Sequence, residues 1–134
     1  MTLVDANVLL DVLTADRQWL EWSSASLIEA RGGGSLAVNP IICAEIAPAF
    51  DFDWPQLDEW LARSGILKEP LPFPATTVAA AAHREYRRRG GMRTSPLPDF
   101  YIGAHAEVSG LTLLTRDAAR YRTYFPEVPL ICPA

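Results

Sequence analysis

Four carboxylates, Asp5, Glu45, Asp99 and Asp117, fall where a soluble fold ordinarily keeps apolar or neutral side chains. Asp5 ends the apolar run Leu3-Val4, and Asp117 follows the run Leu111-Thr112-Leu113-Leu114. Glu45 shares a helical stripe with Ile42 and Ile46, and Asp99 one with Ile102, Gly103 and Ala106. Stripping water from an ionised carboxylate is costly unless a cation or hydrogen-bond donors compensate it. Acids drawn together also raise one another's pKa values. A hard divalent cation relieves both penalties, and an all-oxygen donor set selects Mg²⁺ or Mn²⁺ over zinc. The chemistry this implies is metal-assisted phosphodiester hydrolysis, in which the ion activates water and stabilises charge on the phosphate oxygens.

Taken singly, each acid has an ordinary explanation. Asp99 suits the first turn of a helix, Asp117 suits a cap after a strand, and Asp5 suits a turn with Asn7. Glu45 is the hardest to explain away, because a Glu on an apolar stripe is seldom buried without a partner. His83 and His105 lack a Cys or second His at ligand spacing and are expected to be structural or exposed. No Ser-His-Asp or Cys-His arrangement is present. Gly32-Gly33-Gly34 lacks the spacing of a dinucleotide fingerprint and is read as a turn.

The elements that must position these acids follow from apolar spacing and breaker residues. Residues 2–4 read as a buried strand, 7–13 as a short helix and 16–30 as a longer one stopped by the glycines. A strand over 35–38 leads into Asn39-Pro40, an N-cap followed by Pro at the first helical position. Pro48 should kink or end that helix. Helices are expected over 54–63, 76–89 and 98–109, with strands at 66–67, 111–115 and 128–131. Strands alternating with helices predict an α/β fold: a single-domain α/β/α sandwich over 1–134 with a central parallel sheet. In such sheets ligands bind beyond the C-terminal strand ends, where Asp5 and Asp117 should emerge.

The chain is one domain by length, and a hydrophobic content of 49% excludes disorder. Short, broken apolar runs exclude a bilayer span, and with Asp5 so early no secretory signal is expected. Cys43 and Cys132 suggest small core residues in a reducing compartment, so a cytoplasmic location is expected. Net charge is −4, yet Arg84, Arg87, Arg88, Arg89 and Arg93 hold five of the 12 basic residues within ten positions. Such a cluster either favours a helix C-terminus or guides a phosphate backbone. Trp19, Trp22, Trp54 and Trp60 are read as core or interface contacts.

Together, Val4-Asp5-Ala6-Asn7, Glu45, Asp99 with Ile102-Gly103-Ala104, and Thr115-Arg116-Asp117 resemble the PIN-domain ribonucleases, and among them the VapC toxins of bacterial toxin–antitoxin pairs. The resemblance covers essentially the whole chain. It implies a Mg²⁺-dependent endoribonuclease with Asp5, Asp99 and Asp117 holding the metal, Mn²⁺ substituting, and Glu45 completing the catalytic set. It implies supporting roles for Asn7, bracing Asp5, and for Thr115, orienting a metal water or a carboxylate. It further implies a homodimer and a VapB-like antitoxin whose tail occupies the active-site groove. Arg87, Arg88, Arg93 and Arg116 are the expected RNA contacts. Two other readings stand beside this one: an inert PIN-like binding module, and an aspartyl phosphatase or phosphoacceptor domain with Asp5 as nucleophile and Lys68 as the only available lysine.

Overall fold

A computed structural model describes residues 1–134. Five short strands form one parallel sheet: β1 (Thr2–Val4), β2 (Leu36–Val38), β3 (Ile66–Lys68), β4 (Thr112–Leu114) and β5 (Leu130–Ile131), in the order β3-β2-β1-β4-β5. The helices are α1 (Ala6–Leu13), α2 (Leu20–Gly32), α3 (Pro40–Ile46), α4 (Trp54–Arg63), α5 (Pro74–Arg88), α6 (Pro98–Ser109) and α7 (Ala119–Tyr124). Successive strand residues face opposite sides of a sheet, and Leu36, Ala37 and Val38 are all buried, so both faces are covered. This is the expected α/β fold with a parallel central sheet. No helix is long and apolar enough to cross a membrane.

Strand order decides where a ligand can sit. The chain runs from β1 outward to β2 and β3, then returns past β1 to β4 and β5. The topological switch point therefore lies between β1 and β4, where the loops beyond the strands part and leave a crevice. Val4 and Leu114 are in register across this pair, so Asp5 and Thr115 stand side by side one residue further on. The Asp5 amide still donates to Leu114 O, at 2.9 Å.

Helix boundaries follow local chemistry. Asn39 Oδ1 accepts from Ile42 N at 2.9 Å, and Pro40 opens α3. The helix ends at Ile46, and 47–50, containing Pro48, tightens into a 3₁₀ turn. The second long helix begins at Leu20, four residues later than expected. Asp16 Oδ1 caps a turn instead, accepting from both Gln18 N and Trp19 N at 2.9 Å. Gly103 lets α6 approach the chain after α7, since a Cβ there would lie 2.4 Å from Phe125 Cδ2. That contact seats the helix bearing Asp99 against the segment bearing Tyr121.

Candidate active site

Asp5 is the N-cap of α1 and only 4% exposed. Its Oδ1 accepts from Ala6 N at 2.8 Å; its Oδ2 accepts from Thr115 Oγ1 at 2.9 Å and Tyr121 Oη at 3.0 Å. Burial raises its pKa, the Thr115 hydrogen bond opposes that, and the nearby Asp99 charge adds to it. Asn7 braces the same corner, its Nδ2 lying 3.4 Å from Asp5 Oδ2 and 3.3 Å from Thr115 Oγ1, while its Oδ1 accepts from Arg116 N at 3.1 Å. Asn7 and Thr115 thus both touch the groups they were expected to orient.

Glu45 approaches from α3 and Asp99 from the first turn of α6. The two helices are tied together at the base of α3, where Asn39 Nδ2 and His105 Nδ1 lie 3.0 Å apart in the core. Burial lowers the His105 pKa, so the ring is neutral and accepts the amide proton. Glu45 Oε1 is buried with no hydrogen-bond partner, the only carboxylate oxygen so placed. Burial, then the Asp5 and Asp99 charges, push the Glu45 carboxyl up to about 7.

Tyr121 was not anticipated. It is fully buried, and its hydroxyl lies 3.0 Å from Asp5 Oδ2 and 3.3 Å from Asp99 Oδ1. Burial and then the adjoining carboxylates hold the phenol far above its ordinary pKa, so it remains a donor. One proton serves two acids, and Arg120 Nη1, 3.2 Å from Asp99 Oδ2, meets the remaining charge. Arg120 and Tyr121 are consecutive residues of α7, and no spacing in the sequence marks either as part of the site.

Several expectations change here. The trio Asp5, Asp99 and Asp117 is not gathered at ligand spacing, nor is any group of three Asp, Glu, His or Cys side chains. Tyr121 separates Asp5 from Asp99, and Asp117 is exposed at the rim, held by a turn in which its amide donates to Thr115 Oγ1 at 3.2 Å. The central acids are Asp5, Glu45 and Asp99. Arg116 is paired within the fold: its Nε and Nη2 lie 2.9 and 3.0 Å from the two oxygens of Asp11. Arg87 donates to the carbonyls of Met92 and Arg93, both at 3.1 Å, and so folds the basic loop back on itself. Arg88 and Arg93 stay exposed. The Lys68 ammonium is 2.6 Å from Asp58.

The donor set still fits a hard divalent cation. It is oxygen throughout, it concentrates negative charge at a switch point, and it leaves one buried carboxylate oxygen without a partner. The most voluminous cleft, about 580 Å³, lies elsewhere, between α3, α4 and β3. It is largely apolar, lined by Cys43, Trp54, Leu57 and neighbours, and contains none of the four acids. A smaller groove of about 350 Å³ includes Asp99, Asp117 and Arg120.

The charge state of Glu45 has a measurable consequence. Below pH 4.5 the residue is protonated whether the chain is folded or not. As pH rises the unfolded chain ionises first, so metal-free stability is lost until the folded carboxyl also ionises near 7. For a half-buried group screened by solvent this is worth about 1–2 kcal/mol. The metal-free Glu45→Gln variant should therefore melt roughly 3–6 °C above wild type at pH 8, and level with it at pH 4. A melting-temperature gap that is the same at both pH values would rule out this ionisation as the cause.

The PIN domain family model matches residues 2–126. A search of curated proteins returned no match. Among solved structures, VapBC2 from Rickettsia felis bound to a promoter DNA fragment superposes with a TM-score of 0.74 at 16% identity, covering 99% of this chain and 98% of that one. FitAcB from Neisseria gonorrhoeae gives 0.66 at 22% identity over 98% and 96%. A toxin–antitoxin complex from Klebsiella pneumoniae gives 0.68 at 21% identity over 100% and 98%. With the family model spanning nearly the whole chain and acids clustered at the switch point of a parallel sheet, this chain belongs to the PIN domain family.

Proposed function

We propose that the protein is a Mg²⁺-dependent endoribonuclease and the toxin of a VapBC-type pair. The observation that carries the catalytic reading is the partnerless, buried Glu45 Oε1 facing the charge of Asp5 and Asp99. Family membership and full-length likeness to toxin–antitoxin complexes support the biological role.

Asp5, Glu45 and Asp99 would hold the ion, with Asp117 at the open side. When bound, Mg²⁺ supplies an activated water and a counter-charge for the phosphate oxygens. Thr115 and Asn7 fix the Asp5 carboxylate, and Tyr121 donates a hydrogen bond without ionising. Arg120 places a cation at the groove mouth, where a phosphate would pass. Arg88 and Arg93 are exposed and would be available to phosphates of the flanking backbone. A cognate VapB-like antitoxin and a homodimer belong to the same proposal.

One observation favours a second reading, an inert PIN-like module: Tyr121 and Arg120 already satisfy Asp5 and Asp99 internally. A phosphoacceptor role for Asp5 is not favoured, since both its oxygens carry hydrogen bonds and Lys68 is paired with Asp58. Incubation with single-stranded RNA in Mg²⁺ or Mn²⁺, against EDTA, decides between activity and inertness. Cleavage in metal and none in EDTA is expected. RNA left intact under every metal condition by a folded protein would establish the inert module.

A further inference from the structure

The groove that contains Asp99 and Asp117 is also lined by Arg120 and by two aromatic residues, Tyr86 and Tyr124. Its volume, about 350 Å³, is at the low end of pockets that accept small organic ligands. Chemically it is mixed: two carboxylates, Arg120 paired with one of them, and two tyrosines. The ring centroids of Tyr86 and Tyr124 are 6.4 Å apart, and both rings pack edge-on against buried Phe100, at 5.5 and 5.3 Å. That packing makes them rigid platforms, unlike exposed aromatics on a loop.

The basic loop is anchored at the same place. Gly91 sits against the Tyr86 ring so closely that a Cβ would lie 2.3 Å from Cε2. Arg87 fastens the loop through Met92 O and Arg93 O. Arg89, exposed and paired with Glu85 at 3.1 Å, holds its guanidinium 5.5 Å from the centre of the Tyr124 ring. The groove therefore brings together the carboxylates, the Arg120 cation paired with Asp99 and the Tyr124 ring, and a second cation, Arg89, lies over that ring.

Cations alternating with aromatic rings suit single-stranded nucleic acid, in which phosphates meet arginine and unstacked bases find a π-face. We propose that Tyr124, with Arg89 and Arg120, forms a nucleobase subsite that takes the base flanking the scissile phosphate of single-stranded RNA. This rests on the ribonuclease reading above and specifies how that site selects unpaired substrate. A base held in a duplex must first be unpaired and unstacked, at a cost of a few kcal/mol, so paired RNA is disfavoured without any sequence readout.

The test uses a short single-stranded RNA that wild type cleaves, and versions with an abasic nucleotide on either side of the cut. An abasic residue at one flank should lower kcat/KM of wild type by roughly 5- to 150-fold, the range for one stacked base. Tyr124→Leu should lose a similar factor on intact RNA and show no further loss on the abasic strand. Tyr124→Phe, which keeps the ring, should retain the abasic penalty. Wild type indifferent to both abasic positions overturns the subsite, and this arm needs no variant to fold. A full abasic penalty in folded Tyr124→Leu overturns it too. Absence of any RNA cleavage by wild type would remove the ribonuclease reading itself, and the subsite with it.

Discussion

Asp99→Asn is expected to abolish metal-dependent RNA cleavage, lowering kcat/KM by about 10³-fold or more, while the protein remains folded. Removing an anionic ligand from an all-oxygen site forfeits several kcal/mol of charge stabilisation in the transition state. The cost to the fold should be small. Asp99 is about a third exposed; its ion pair with partly exposed Arg120 is worth at most about 1 kcal/mol, and its other contact is a long hydrogen bond from Tyr121 Oη at 3.3 Å, which the amide oxygen of Asn can still accept. Loss of that pair is offset by relief of repulsion with Asp5 and Glu45, both of whose carboxyls the Asp99 charge raises. Asp5→Asn would be the less clean variant, because an amide nitrogen cannot accept from Thr115, Tyr121 or Ala6 as the carboxylate does. The measurement is a cleavage time course beside a thermal melt. An active Asp99→Asn would place the chemistry elsewhere in the fold.

Asp11→Ala should be the most destabilising single change near the site, by about 3 kcal/mol, or roughly 10 °C in melting temperature. Asp11 is 2% exposed and its carboxylate receives Ser23 Oγ at 2.7 Å as well as the fork of Arg116. Truncation leaves the serine hydroxyl without its acceptor and the guanidinium without its counter-ion. The figure is set at the lower end of the usual range because Arg116 is 30% exposed and can turn to water. Activity should fall as well. Arg116 precedes Asp117, its guanidinium lies 5.3 Å from the Trp19 ring, and its amide donates to Asn7, so the pair clamps the turn that carries Thr115. Chemical denaturation of the variant checks the value; a change below about 0.5 kcal/mol would mean the pair is solvated and carries no load.

The fold was largely legible because its signals are local. Asn39-Pro40 opens a helix, Gly110 adopts the left-handed conformation that closes another, and Pro48 ends α3, each by chemistry contained in one turn. Where a nearby side chain offered an alternative, as Asp16 did, apolar spacing misplaced the helix start. The site was legible only in part. Residue type and position pointed to Asp5, Glu45 and Asp99, but nothing in the spacing showed that Asp117 would turn outward. The Asp11–Arg116 pair spans 105 residues and exists only once β1 and β4 are adjacent. Tyr121 carries no local signal of a role: it is one aromatic in a short helix. Its hydroxyl becomes part of the site only because Gly103 and Phe125 bring α7 against α6. Long-range pairing of this kind carries no periodicity for sequence patterns to register.

Titration calorimetry of Mn²⁺ into metal-free protein at pH 8 tests, without reference to any substrate, whether Asp5, Glu45 and Asp99 together bind a divalent cation. At that pH the Glu45 carboxyl, pushed up to about 7, is largely ionised and so available as a ligand. Saturable Mn²⁺ binding to wild type is predicted, weakened at least about 10-fold in Asp99→Asn. A folded wild-type protein that takes up no Mn²⁺, or an Asp99→Asn variant that binds it equally well, would contradict the account.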